Sequence, residues 1–174
     1  MPMQITKKEL DSTMRGILKD TLRKNGPGYG SAFRHMCRLY NCGDLLEDKP
    51  HQLITVALPN DYVISRILKY IHTPHKWNVG SILSIEKYSK SGENLHIHIL
   101  KEGYYSKSKI IRDLSTRFKV AGNFIDVRRG TEPADFEHRK SYIQGDKMDT
   151  EKMEHVTKDK EWRQKNNLRD FYNL

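Results

Sequence analysis

The chain has 174 residues, with 31 Lys and Arg against 22 Asp and Glu and a formal net charge of +9, a length that suits one domain or one domain with an appendage. Only 36% of residues are hydrophobic, yet Ile, Leu, Val, Phe, Tyr and Trp recur in blocks from about Leu53 to Phe136, which excludes wholesale disorder. With no apolar run of about 18 residues and no secretory leader, and with only Cys37 and Cys42 as thiols, a soluble intracellular protein without a disulfide framework is expected.

From Lys7 to Lys24, Leu10, Met14, Ile17, Leu18 and Leu22 recur at three- and four-residue spacing, predicting an amphipathic helix. It stops at the turn sequence Asn25-Gly26-Pro27-Gly28. A short helix over Ala32 to Leu46 and a linker over Glu47 to His51 follow, so residues 1–50 read as a helical extension. Leu53 to Leu58 is a short β-branched run stopped by Pro59, hence a buried strand. Asp61 is expected to cap a helix running to about Ile71. Trp77 to Tyr88 and Leu95 to Leu100 read as a hairpin around Gly92. A helix over Ser106 to Phe118 and a strand over Asn123 to Val127 come next. Thr131 to Gln144 is a helix with Pro133 in its first turn and Gly145 as its stop.

The resulting β-α-β-β-α-β-α order predicts an α+β domain over residues 51–148: a ferredoxin-like, RRM-like antiparallel sheet with helices on one face. Residues 149–174 are a charged helix or tail, in which Met153, Val156, Trp162 and Leu168 are too loosely spaced for a core helix.

The positive excess points to a polyanionic partner, because Lys and Arg release counterions when they neutralise phosphates. Long basic faces opposed by Trp, Phe and Leu are lacking, which disfavours a membrane surface and leaves nucleic acid. On the strand Leu95 to Leu100, His96 and His98 project from one face, about 7 Å apart, and Leu95, Ile97 and Ile99 from the other. Along the hairpin partner, Leu83 and Ile85 alternate with Ser84 and Glu86, so the Glu86 carboxylate can share the histidine face. Two imidazoles and one carboxylate with open positions suit a divalent Mn or Mg ion in a catalytic role; a structural zinc site closes four protein ligands. Further along, Tyr142 lies near the end of a helix among Arg139, Lys140 and Lys147, cations that favour phenolate character in a residue whose ordinary pKa is near 10.

Three blocks, in order, resemble the motifs of HUH endonucleases, in particular the replication-initiator domains of small circular single-stranded DNA viruses and related plasmids. They are LITVALP at Leu53 to Pro59 with a central Thr55, LHIHIL with Glu86 upstream, and KSYIQGDK at Lys140 to Lys147. The resemblance covers Leu53 to about Lys147 and implies metal ligation by Glu86, His96 and His98, and a covalent link from Tyr142 to DNA. Asp146, acidic as in many relatives, is a further candidate ligand or orienting group. The family commonly carries Lys three positions after the tyrosine; here that position is Gly145, and either Lys147 or Lys140 takes the role. Arg128 and Arg129, at a strand end near the site, together with Arg139 and Thr55, are candidate DNA contacts.

The resemblance also implies single-stranded DNA as substrate, displayed in an origin hairpin, and metal-dependent nicking and rejoining through a 5′-phosphotyrosine. The compartment is the host nucleus for a eukaryotic virus and the cytoplasm for a prokaryotic element. No GxxxxGK[ST] segment occurs, so a helicase motor would be a separate or truncated-away partner. A single-tyrosine HUH transposase has similar motif order and stays open, whereas relaxases place their tyrosine before the histidines. A non-catalytic nucleic-acid module of RRM type needs base-stacking aromatics that LITVAL and LHIHIL lack. His35, Cys37, Cys42 and His51 fit no zinc-finger spacing, and the two cysteines are expected to be buried free thiols.

Overall fold

In the computed structural model five strands among the described residues form one sheet in the order β4-β1-β3-β2-β5, with every neighbouring pair antiparallel. The strands are β1 His51–Ala57, β2 Ile82–Ser89, β3 Gly92–Glu102, β4 Ile125–Gly130 and β5 Tyr172–Asn173. The helices are α1 Lys7–Asn25, α2 Ser31–Leu39, α3 Ile64–His72, α4 Lys107–Phe118, α5 Pro133–Ile143 and α6 Thr150–Lys165. The structure describes residues 6–25, 31–40, 42, 49–89, 92–146 and 150–174. The chain divides into two units, Met1–Lys49 with Thr131–His138, and Pro50–Gly130 with Arg139–Leu174.

In the larger unit, β1-α3-β2-β3-α4-β4 is the expected ferredoxin-like succession. Its core is built on one face of the sheet. Ile54 and Val56 of β1, Leu83 and Ile85 of β2, Leu95, Ile97 and Ile99 of β3, and Ile125 and Val127 of β4 are all buried there. Ile67, Tyr70 and Ile71 of α3 and Ile110, Leu114 and Phe118 of α4 pack on them. Each such side chain contributes about 1.5–3 kcal/mol by leaving water. Because side chains alternate along a strand, filling one face with β-branched and aliphatic residues sends Thr55, Ser84, Glu86, His96 and His98 to the other. The register then lines them up: Thr55 and Ser84 lie opposite His98, and Glu86 lies opposite His96.

The helix expected over Ala32 to Leu46 ends at Leu39, and three further local expectations differ from the structure. Asp61 does not cap α3. The chain first turns on itself, with the Tyr62 amide donating to the Pro59 carbonyl, and the helix begins at Ile64 after an extended Val63. Trp77 is not in a strand but in a 3-10 turn, Lys76–Asn78, where its indole N–H donates to Asp113 Oδ2 at 3.0 Å and its ring stacks on Tyr105. The third concerns the C-terminal stretch: it holds the expected charged helix, α6, but also an unexpected short strand, β5, and it groups with the sheet unit. β5 pairs with β2 at Ile82 and Leu83, and α6 buries Asp159 and Arg163. A helix whose buried contacts are charged leaves little apolar periodicity to read.

In the smaller unit Leu18 of α1, Cys37 and Cys42 form a buried cluster with Phe33, Met36 and Tyr40 against it. Both cysteines are buried, as expected, and neither forms a disulfide among the described residues. Residues 131–138, expected within the 51–148 domain, group with the N-terminal residues. The Lys49 amide donates to the Thr131 carbonyl at 2.6 Å, and the Lys49 ammonium lies 3.9 Å from the centre of the Phe136 ring.

Candidate metal centre and its tyrosine

The hairpin of β2 and β3 places Glu86, His96 and His98 on one patch of sheet, with one ligand atom from each within 4.8 Å of the others. Nε2 of His96 lies 3.3 Å, and Nε2 of His98 3.7 Å, from Oε2 of Glu86. Their side chains are almost wholly buried, with Glu86 only 5% exposed. Backbone and side-chain partners fix both rings. Nδ1 of His96 lies 2.5 Å from the Asn94 carbonyl, and a carbonyl only accepts, so Nδ1 carries the proton and Nε2 is the basic nitrogen of the neutral ring. Nδ1 of His98 lies 2.9 Å from the Thr55 hydroxyl, and that ring too presents Nε2 to Glu86. The rings themselves stand edge to face, 4.8 Å apart and inclined at 80°.

Burial disfavours the charged form of His96. Its hydrogen bonds to Glu86 and to the Asn94 carbonyl, with the negative charges of Glu86 and Asp159, outweigh that penalty and hold its pKa above the ordinary value. The group can hold a metal ion. The Nε2 atoms of two imidazoles and a carboxylate oxygen converge, each histidine oriented through its other ring nitrogen, as metal-ligating histidines are; a metal would displace the proton that His96 shares with Glu86. Cis donors in an octahedron with bonds of about 2.1 Å lie about 3 Å apart, so the two histidine–carboxylate separations need only a small contraction. Ser84, opposite His98, buries a hydroxyl that has no hydrogen-bond partner among the described residues, which leaves a polar atom on the same patch for a ligand to satisfy.

Tyr142 comes to this patch from α5, its ring centre 5.9 Å from that of His98 and inclined at 76°. The helix ends immediately behind it. Gly145 takes φ +97°, its amide donates to the Tyr142 carbonyl at 3.2 Å, and the Asp146 amide reaches back to the Ser141 carbonyl at 2.9 Å. These are the paired bonds of a Schellman stop. The position that carries lysine in the resembled family is therefore occupied by the residue that terminates this helix.

The remaining candidates divide. Asp146 is exposed and lies outside the ligand group. Arg128 is on the histidine face at the β4 edge, paired with Asp126 at 2.6 Å. Arg129, one residue on, falls on the opposite face, its guanidinium 5.2 Å from the centre of the Tyr104 ring. Arg139 is three residues before Tyr142 and shares its side of α5, while Lys140, two residues before it, does not. Lys147 lies outside the described residues. Thr55, expected as a DNA contact, holds the His98 ring.

Sequence reasoning missed Asn94, Ser84 and Asp159. Asn94 acts through its backbone, which no residue type announces. Ser84 was legible only as an alternation partner of Glu86. Asp159 sits in a helix so rich in charge that nothing separates it from its solvated neighbours.

No helix among the described residues is long and apolar enough to cross a membrane. Comparison with family models, with curated proteins and with solved structures finds no match for this chain.

Proposed function

We propose that this chain is a rolling-circle replication initiator of the HUH type, nicking and rejoining single-stranded DNA with Mn or Mg bound at Glu86, His96 and His98. The observation that carries the reading is the convergence of a Glu-His-His ligand group with a tyrosine ring 5.9 Å from one of its imidazoles. A nucleophilic phenol beside a site for a Lewis acid is what transfer of a phosphodiester to tyrosine requires.

When bound, the metal supplies polarisation of a non-bridging phosphate oxygen and counters charge in the transition state. Tyr142 attacks phosphorus in line: its oxygen forms the new P–O bond, the bond to the 3′-oxygen breaks, and the phenol proton passes through solvent to that leaving oxygen. The products are a 3′-hydroxyl and a 5′-phosphotyrosine. One phosphodiester replaces another, so the 3′-hydroxyl can attack in reverse and rejoin the strand without ATP. Burial of the ligand side chains and the helix stop behind Tyr142 hold the reacting groups in place before DNA arrives. Arg128 at the sheet edge and Arg139 beside the tyrosine supply positive charge for the DNA backbone.

The test is incubation of the protein and Mn2+ with a pool of hairpin and single-stranded oligonucleotides, followed by denaturing electrophoresis. A covalent protein–DNA adduct is expected, lost in EDTA and lost in Tyr142→Phe while DNA binding persists. An adduct that survives in Tyr142→Phe or in EDTA overturns the assignment.

A further inference from the structure

Helix α6 contributes more than cover to the sheet. Beyond the two residues that pair with β5, the outer edge of β2 runs past Glu86 with backbone groups that no strand meets among the described residues. Side chains of α6 take their place. Arg163, 6% exposed, donates from Nη1 to the Ile85 carbonyl at 3.1 Å and is itself braced by Asp170. One turn earlier Asp159, 1% exposed, accepts at a single oxygen from two consecutive amides, Lys87 at 2.7 Å and Tyr88 at 3.0 Å. Those amides point together because the pairing register between β2 and β3 slips between Glu86 and Tyr88, a bulge. Bulges re-aim side chains and persist only where something holds the displaced backbone.

Glu86 is thus flanked by two anchors, Ile85 on one side and the bulged Lys87–Tyr88 on the other, both held by buried charged residues four apart on α6. We propose that Asp159, with Arg163 beside it, is a positioning residue of the metal centre: by clamping the bulge it aims the Glu86 carboxylate at the histidine nitrogens. The inference rests on the metal-site reading above and adds to it a residue that touches neither metal nor substrate. Carboxylates that act through such outer contacts typically change metal affinity 10–100-fold when removed.

The experiment is Mn2+ binding to the full chain, followed by electron paramagnetic resonance of free and bound ion, for wild type, Glu86→Gln, Asp159→Ala, Asp159→Asn and Ile110→Val. Asp159→Ala is expected to bind Mn2+ about 10–100-fold more weakly. Asp159→Asn, which keeps an oxygen for the two amides, should recover most of that loss. Ile110→Val, in the opposite layer, should lower the melting temperature with Mn2+ affinity intact, so that mere destabilisation is not mistaken for the effect. A folded Asp159→Ala that binds like wild type overturns the clamp. Should Asp159→Ala fail to fold, the wild-type protein decides by NMR. The Lys87 and Tyr88 amide signals should shift on Mg2+ addition with the same midpoint as the His96 ring, and stationary signals overturn the proposal. If wild type and Glu86→Gln bind Mn2+ equally poorly, the metal reading itself falls and takes the clamp with it, a result distinct from loss of the clamp alone.

Discussion

Thr55 on β1 and His98 on β3 face each other in the register, and their side chains meet, hydroxyl oxygen to Nδ1, at 2.9 Å. Thr55 thereby orients the His98 ring with Nε2 toward Glu86. In the tautomer that ligates metal through Nε2, Nδ1–H donates to the hydroxyl and Nε2 is left basic. Thr55→Val keeps the shape and β propensity but removes the hydroxyl that holds the ring. The expected result is Mn2+ affinity reduced about 10-fold or more with little change in melting temperature, and recovery in Thr55→Ser. Titration calorimetry of the three proteins checks it; a valine variant that binds like wild type removes Thr55 from the site.

Gly145 reads out the geometry at the other end. Its φ of +97° is accessible to glycine at no steric cost, and among the described residues no atom beyond its chain neighbours lies within 4 Å of where a Cβ would stand. Gly145→Ala therefore costs stability through backbone strain and not through collision, about 1 kcal/mol. Loosening the stop also loosens the last turn that carries Tyr142. Denaturant melts should show the small loss, and adduct formation should slow more than DNA binding weakens.

The sheet and its site were legible because a buried face and a functional face obey the same two-residue period. Leu95, Ile97 and Ile99 in the core leave His96 and His98 no direction but outward, and Leu83 with Ile85 does the same for Glu86. The period fails where function or docking relies on backbone groups. It gave no warning of the Asn94 carbonyl or of the bulge after Glu86. It also misled at Trp77, whose aromatic β propensity yields to an indole hydrogen bond with Asp113 in a 3-10 turn. Tyr142 stood out among nine tyrosines through its cationic neighbours and its place in the third block, and of those neighbours Lys140 is on the other side of the helix.

The His96–Glu86 pair sets a pH dependence whose sign changes with metal. His96 has a folded-state pKa above the ordinary 6.5. In metal-free protein its protonation therefore contributes stability that is fully present below about 6.5, and that is lost as pH rises through the elevated value. Metal requires the unprotonated ring, so proton and cation compete. Thermal melts across pH 5.5–8.5 should show the metal-free protein losing stability on this account as pH rises, while the increment from added Mn2+ grows. An increment independent of pH would mean that Mn2+ binds elsewhere.

The proposed reading also needs a cation beside Tyr142. On α5, residues three apart share a side and residues two apart do not, so Arg139 accompanies Tyr142 while Lys140 points away. Gly145 closes the helix where a lysine would otherwise continue it. Arg139→Ala is expected to slow single-turnover adduct formation at saturating DNA by one to two orders of magnitude, since a charge-assisted contact to a phosphate contributes about 1.5–3 kcal/mol. Lys140→Ala should change the rate less than about threefold and weaken binding mainly at low salt, as an exposed backbone contact does. Because guanidinium and ammonium differ in donor geometry, Arg139→Lys should recover part of the rate and not all of it. Equal losses from Arg139→Ala and Lys140→Ala would show that the helix rotates about its axis when DNA binds; a loss from Lys140→Ala alone would move the role to that residue.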